Sequence, residues 1–146
     1  MNVIGISGVR SLTEAQEQAV RGQLRWELLL ADKVHVGCAR GVDALGRELA
    51  ASNGKLLVVH ETEGYKPWQL AQRSKRMVDA IAAEGGELHA FVNKPCPDGL
   101  TADSWRGSGT WGTACYAASK NVPVILHKLV DCPDPSWLTQ EQLAWI

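Results

Sequence analysis

Residues 3–10 read Val3-Ile4-Gly5-Ile6-Ser7-Gly8-Val9-Arg10, a short apolar run that passes directly into a turn. A continuous apolar run bounded by turn residues is typical of a strand buried on both faces of a parallel sheet. The pattern returns at Val34-His35-Val36, Leu56 to His60, Leu88 to Val92 and Pro123 to Leu126. Five strands are therefore predicted.

Helical patterns separate these strands. Thr13 and Gln16 match a capping box, and apolar residues recur at helical spacing from Ala15 to Leu28. The other predicted helices cover 44–52, 67–83 and 113–120, and a short C-terminal helix is predicted after Ser136. This alternation predicts an α/β protein with a doubly wound, mainly parallel five-stranded Rossmann-like sheet and helices on both faces.

Composition restricts the class of protein. With 45% hydrophobic and 21% charged residues, the 146-residue chain is typical of a soluble globular domain. A net charge of −1 gives no overall field for nucleic acid or an anionic membrane, so we expect neither partner. The start lacks a signal-peptide pattern and no apolar run reaches membrane-spanning length, so we expect a cytoplasmic protein. The four cysteines and four histidines are scattered, and we predict no metal site.

The turns that follow the strands hold the unusual residues. In a doubly wound sheet, ligands bind at the carboxyl ends of the strands, near the point where the strand order reverses. Small residues and hydroxyls at 107–113 precede a predicted helix, and free N–H groups at a helix start bind phosphate. The predicted ligand-binding residues are Gly8, Val9, Arg10, Gly37, Ala39, Arg40, Asp43, Arg73, Ser74, Ser108, Gly109 and Thr110.

Several of these residues have two interpretations from sequence. Asp43 is suited either to accepting ribose hydroxyls or to capping the second helix. Trp68, Trp105 and Trp111 flank the predicted binding loops, where they either stack on a base or pack in the core. Arg73 lies one turn before Met77, an inward-facing position, and either reaches the cleft or belongs to a solvated basic face.

Residues 107–112 also match G-x-G-x-x-G, the dinucleotide fingerprint. That fingerprint immediately follows a strand, and an acidic residue follows about 20 positions later at the end of the next strand. Here the loop from Lys94 to Arg106 separates it from the fourth strand, and Asp131 lies beyond the fifth. We therefore interpret the match as accidental.

Taken together, the turns resemble those of the SLOG superfamily, the nucleotide-binding fold shared by DprA and the Lonely-guy (LOG) enzymes. The similar stretches, in order, are Gly8-Val9-Arg10, Gly37-x-Ala39-Arg40-Gly41-x-Asp43, Arg73-Ser74 with Met77, and Ser108-Gly109-Thr110 followed by Ala117 and Val122-Pro123-Val124. Ser74 replaces the usual asparagine of the third motif. The resemblance implies a nucleotide-binding domain over residues 1–128 and a tail over 129–146.

The resemblance implies a nucleotide or nucleotide-derived ligand, such as AMP or ADP-ribose, with a sensor or accessory role. The alternatives are a LOG-like phosphoribohydrolase and DprA-like binding of single-stranded DNA. The LOG motif P-G-G-x-G-T-x-x-E resembles this stretch with Tyr116 at the place of the catalytic glutamate, so catalysis is not expected and no catalytic residue is assigned. A homodimer is predicted if Trp137 and Trp145 of the tail pack on a second subunit; the alternative is packing on their own chain.

Overall fold

The computed structural model describes residues 1–139. It contains five strands, β1 Val3–Gly8, β2 Lys33–Gly37, β3 Leu56–His60, β4 Glu87–Val92 and β5 Val124–Lys128. Four helices alternate with them, α1 Glu14–Glu27, α2 Val42–Ser52, α3 Pro67–Ala83 and α4 Gly109–Ser119. No helix within residues 1–139 combines the length and apolar character needed to cross a membrane.

All five strands are parallel and lie in the order β3-β2-β1-β4-β5, as the predicted Rossmann-like fold requires. In the register, Ile6 of β1 lies between Val36 of β2 and His89 of β4. The chain moves outward from β1 to β3 and then returns to place β4 on the other side of β1. The strand order therefore reverses between β1 and β4, and a crevice at their carboxyl ends is expected there.

Each face of the sheet has its own apolar core. On one face, α1 and α2 pack Val20, Leu24 and Leu45 against the sheet. On the other face, α3 and α4 pack residues such as Ile81 and Ala117 against β4 and β5. Because the strands alternate their side chains between two buried faces, both faces must be apolar, which is why the sequence shows continuous apolar runs.

The helix starts show where sequence signals were sufficient. Thr13 caps α1: its hydroxyl accepts from the Gln16 N–H at 3.1 Å, and the Gln16 side chain accepts from the Thr13 N–H at 3.1 Å. Two starts were predicted too late. α2 begins at Val42 rather than residue 44, and α4 begins at Gly109 rather than residue 113. Glycine disfavours helix interiors but is tolerated in a first turn, so a glycine-rich stretch was interpreted as loop.

The segment after β5 returns to the body of the chain. The ring of Trp137 meets Trp111 of α4 edge-on, with centroids 6.2 Å apart, and Leu138 is buried against the α3/α4 core. Residues 136 and 137 form a turn. The rest of the predicted C-terminal helix, including Trp145, lies outside the described residues.

Candidate functional site

A cleft of about 770 Å³ lies at the carboxyl ends of β1 and β4, where the strand order reverses. Its walls come from the turns after β1, β2 and β4, from α3 and from the start of α4. It is lined by Ser7, Gly8, Val9, Arg10, Ser11, Ala39, Asp43, Tyr65, Pro67, Leu70, Arg73, Ser74, Val92, Asn93, Lys94, Trp105, Arg106, Gly107, Ser108, Gly109, Thr110, Trp111 and Thr113.

The first two turns of the cleft are joined by their backbones. The Val42 N–H donates to the Val9 carbonyl at 3.1 Å, and the Val9 N–H donates to the Phe91 carbonyl at 3.3 Å. Gly41 has φ +74°, and a Cβ there would collide with the carbonyl oxygens of Val9 and Arg10. Only glycine accepts both that conformation and that approach, so the turns after β1 and β2 form one continuous wall.

The start of α4 presents unpaired amides to the cleft. Ser108 is its N-cap, and the Ser108 hydroxyl accepts from the Trp111 N–H at 3.4 Å. This leaves the N–H groups of Gly109 and Thr110 without an acceptor in residues 1–139. A Cβ on Gly109 would meet no atom within 4 Å, so the backbone at the start of α4 is open on that side. Together with the helix dipole, this is the geometry of an anion site.

Arg73 of α3 is a buried cation with few partners. The residue is only 6% exposed, yet among the described residues its guanidinium donates only to the Cys38 sulfur at 3.1 Å and to the Ser74 hydroxyl at 3.4 Å. No carboxylate within residues 1–139 lies in ion-pair range of it. The nearest carboxylate on the cleft lining is Asp43, on the other side of Gly37, and it does not pair directly with the guanidinium. A buried guanidinium that lacks a direct carboxylate partner favours an anion in the cleft that it lines.

Asp43 is the one carboxylate among the described residues that line the cleft. It lies in the first turn of α2 rather than at its N-cap, which is Gly41, and it accepts from the Ala39 N–H at 3.3 Å. Burial raises the pKa of Asp43 to about 6, although the nearby Arg73 charge lowers it. The helix-cap interpretation of Asp43 is therefore wrong.

Ten of the twelve predicted binding residues line the cleft, namely Gly8, Val9, Arg10, Ala39, Asp43, Arg73, Ser74, Ser108, Gly109 and Thr110. Gly37 and Arg40 do not line it. Gly37 lies behind the wall, where a Cβ would be 2.5 Å from Asp43 Oδ2 and 2.7 Å from Arg73 Nη1. Arg40 is exposed on the outside of the turn. Gly37 therefore makes room for the two charged groups, and Arg40 is removed from the proposed ligand.

Sequence reasoning missed two kinds of residue. Arg47 holds the second turn from α2, donating to the carbonyls of Gly37 at 2.9 Å and Ala39 at 2.7 Å. Lys94 and Arg106 add cations to the cleft from the long loop after β4. Arg47 is one turn after Asp43, which is a usable signal, whereas the loop cations have no spacing that predicts their position.

The tryptophans have different environments. Trp111 is fully buried and donates to the Lys94 carbonyl at 2.9 Å, so its indole belongs to the core. Trp105 lines the cleft, and its ring occupies the space where a Cβ on Gly112 would lie. Trp68 is 57% exposed and outside the cleft lining. The last glycine of the G-x-G-x-x-G match thus makes room for Trp105, which agrees with the accidental interpretation.

Tyr116, the residue at the position of the LOG glutamate, does not line the cleft. The Tyr116 hydroxyl donates to Asp79 at 2.8 Å. Burial raises the pKa of Tyr116 to about 12, with Asp79 adding to the effect. Tyr116 is therefore in no position to replace a catalytic carboxylate.

No family model matches the chain, and no curated protein matches its sequence. Its fold is similar to the X-ray structure of DNA processing protein A (DprA) from Streptococcus pneumoniae. The similarity has a TM-score of 0.63 over 97% of this chain, at 12% sequence identity. This chain spans 54% of that protein chain. At such identity the similarity shows a shared DprA-like Rossmann-type fold.

Proposed function

We propose that the cleft binds a nucleotide or nucleotide-derived molecule, with a phosphate between the Arg73 guanidinium and the free amides of Gly109 and Thr110. The observation that supports this most directly is the burial of Arg73 with no ion pair to any described residue, in a cleft that also contains the start of α4. A phosphate accepts hydrogen bonds from a guanidinium fork and from helix amides together. The resemblance to the SLOG turns agrees with this assignment.

The remaining chemistry of the cleft suits the other parts of a nucleotide. Asp43 offers carboxylate oxygens to ribose hydroxyls, and the exposed ring of Tyr65 at the rim offers a surface for a base. A volume of about 770 Å³ lies in the range of small-molecule sites and accommodates a ligand of the size of AMP or ADP-ribose. The exposed cations Arg10, Lys94 and Arg106 favour a second phosphate.

The proposed role is binding rather than hydrolysis, as expected of a sensor or accessory module. Cleavage of an N-glycosidic bond needs an acid or base at the leaving group and a group that stabilises the oxocarbenium-like transition state or activates water. Asp43 is the one carboxylate among the described lining residues, and Glu61 and Glu63 lie outside the lining. The cleft therefore holds half of the carboxylate pair that such a reaction uses.

The test separates binder from enzyme. The protein is incubated with AMP, NAD, ADP-ribose and cyclic dinucleotides, and the products are separated by chromatography. Thermal stabilisation with intact ligand supports the proposal, since a ligand that binds only the folded state raises the Tm. Release of free base or nicotinamide would favour the hydrolase, and no stabilisation by any of these compounds would refute the proposed binding.

A second candidate is the end of a single DNA strand, which the fold similarity to DNA processing protein A favours. A strand end presents the same phosphate and base chemistry as a mononucleotide. The test is retention of single-stranded DNA at rising salt, since a protein that contacts several phosphates releases them steeply as salt increases. With a net charge of −1, we expect weak retention that a mononucleotide competes away. The predicted homodimer and cytoplasmic location remain predictions.

A further inference from the structure

A second polar cluster lies on the α1 face of the sheet, separate from the cleft. His89 of β4 is fully buried, and its Nδ1 is 2.9 Å from Nε2 of His127 on β5. The Nε2 of His89 is 3.8 Å from Oε2 of Glu27, the last residue of α1. One ligand atom from each of Glu27, His89 and His127 lies within 4.8 Å of the others. Three donors that metals prefer thus converge from three different elements.

The groups around these donors orient them. Glu87 Oε1 is 3.2 Å from His89 Nε2, so that nitrogen donates a proton to a carboxylate and Nδ1 presents its lone pair. Gln23 Nε2 donates to Glu27 Oε1 at 2.7 Å and leaves Oε2 available. Carboxylates that accept from the second nitrogen of a histidine, and amides that hold a carboxylate ligand, are the outer partners typical of metal sites.

The two carboxylates beside His89 have no positive side chain paired with them among the described residues. Glu27 and Glu87 both approach His89, and no lysine or arginine within residues 1–139 forms an ion pair with either. Two carboxylates with two neutral imidazoles carry a charge that one divalent cation neutralises. Glu27 and Glu87 also line an open groove of about 670 Å³ at the amino ends of the strands, which gives an ion a path from solvent.

We propose that Glu27, His89 and His127 bind a divalent first-row transition metal, Zn²⁺ being the metal whose ligand preference fits best. Two histidines and a glutamate form a known set of three zinc ligands, with the fourth position left for water. Zinc–nitrogen bonds of about 2.0–2.1 Å place tetrahedral ligand atoms about 3.3 Å apart. The facing nitrogens of His89 and His127 therefore have to move apart by a few tenths of an ångström, and the two rings have to turn from their head-on alignment toward one point. Glu27 Oε2, now beside Nε2 of His89, has to move toward Nδ1, and His127 moves its proton from Nε2 to Nδ1.

The other histidine pair of the sheet shows why this cluster is different. His35 Nδ1 is 2.9 Å from His60 Nε2, and His35 Nε2 is 2.9 Å from Glu84. There the carboxylate already pairs with Lys33 at 2.9 Å. Glu84 is thus neutralised by a lysine, and this pair provides a matched control with the same contacts and no need of a metal.

Metal binding is measured on the untagged chain after treatment with a chelator. Zn²⁺ is titrated by calorimetry, and Co²⁺ serves as a spectroscopic substitute. We expect one ion per chain and a rise in Tm on adding Zn²⁺. His127→Asn and Glu27→Gln are the test variants, because both residues are only partly buried, and His60→Asn is the control. Circular dichroism establishes that each variant is folded.

The proposal predicts a graded loss of affinity. Removal of the outer carboxylate in Glu87→Gln weakens binding by about 10–100-fold, and removal of a direct ligand in His127→Asn or Glu27→Gln weakens it further. His60→Asn leaves the affinity unchanged. The proposal is overturned if the wild-type chain binds no Zn²⁺, if binding survives in both His127→Asn and Glu27→Gln, or if Co²⁺ shows the charge-transfer absorption of cysteine ligands. In the first case the cluster is a hydrogen-bonded network of histidines and carboxylates only.

Discussion

Substitution of Arg73 by methionine separates a ligand-binding arginine from a structural one. Methionine keeps much of the apolar stem of arginine and removes the charge. The guanidinium has only a sulfur and a hydroxyl as hydrogen-bond partners within the described chain, at 3.1 and 3.4 Å, and both are weak. If its main partner is a bound phosphate, then affinity falls in Arg73→Met and stability does not.

The expected size follows from the bonds that are lost. A hydrogen bond to a charged group contributes about 1.5–3 kcal/mol. Since each 1.4 kcal/mol is a factor of ten, the affinity of Arg73→Met falls by about 10–150-fold. Replacing the buried guanidinium with an apolar side chain removes its desolvation cost, which offsets the lost attraction between Arg73 and Asp43, so we expect little change in the free energy of unfolding. The pKa of Asp43 then rises further above 6, and its carboxyl becomes protonated near neutral pH instead of staying ionised.

The assay is calorimetric titration with the nucleotide that gives the largest thermal shift, together with thermal unfolding without ligand. Arg76→Met is the control, because Arg76 lies on the same helix, is exposed and does not line the cleft. We expect Arg76→Met to bind as the wild type does. A drop in Tm for Arg73→Met with unchanged affinity would refute the reasoning, because it would make Arg73 a structural residue.

Three further predictions concern single side chains. Gly109→Val leaves the fold intact, since a Cβ there meets nothing within 4 Å. The valine side chain blocks the approach of a phosphate to the amides, so calorimetry should show nucleotide affinity lowered at least about tenfold. Gly22→Val is the control, because Gly22 of α1 is equally open, and it leaves the affinity unchanged. Asp43, whose pKa is raised to about 6, favours the folded state more when protonated. As pH rises from 4 to 7, the free energy of unfolding of the wild type should therefore fall by about 2 kcal/mol relative to that of Asp43→Asn. Urea melts that give a constant difference between the two proteins over this pH range would contradict this. Burial lowers the pKa of His60 to about 4, so the unfolded chain binds a proton at this residue more readily than the folded chain does. The free energy of unfolding of the wild type therefore falls as pH falls from 6.5 to 4, and that of His60→Gln falls less. Equal decreases in the two proteins would contradict this prediction.

The fold could be predicted because its signals are local. A continuous apolar run such as that of β4, Glu87–Val92, is typical of a strand buried on both faces of a sheet, and this strand is buried along almost its whole length. Thr13 with Gln16 marks a helix start by its own hydrogen bonds. The strand order follows from the connections, because right-handed crossovers leave few alternatives. The start of α4 was predicted too late because two glycines flank its N-cap, Ser108, and glycine is typical of loops. The hydrogen bond from the Trp111 N–H to the Ser108 hydroxyl, which identifies the cap, is visible only in the structure.

The site could be predicted only as a region. The carboxyl ends of parallel strands lie at the same edge of a sheet, so the residues that follow β1, β2 and β4 are expected to lie close together. The depth of a side chain is set by packing between helices: Arg73 is buried and Arg76 is exposed, although both lie in one basic stretch. The cluster at Glu27, His89 and His127 joins residues distant in sequence, and no motif spacing connects them. Because the histidines are scattered in sequence, no metal site was predicted. The proposed zinc site disagrees with that prediction.

Asp43 and Arg73 also determine how the proposed binding responds to pH. The charges of Arg73, Arg47 and Arg10 all lower the pKa of Asp43, and burial outweighs them, so the carboxyl titrates near pH 6. A phosphate that pairs with Arg73 withdraws part of this opposing charge and adds a negative charge of its own. The pKa of Asp43 is then higher in the complex than in the free protein, and binding takes up protons. By linkage, affinity increases as pH falls through the region just above 6, and Asp43→Asn removes that dependence. Calorimetry in buffers of different ionisation enthalpy measures the proton uptake directly. The ligand for this test is ADP-ribose, because its diphosphate, unlike the monophosphate of AMP, does not titrate near pH 6. Equal proton uptake by the wild type and Asp43→Asn between pH 6 and 7 would contradict the proposed coupling between Asp43 and the phosphate.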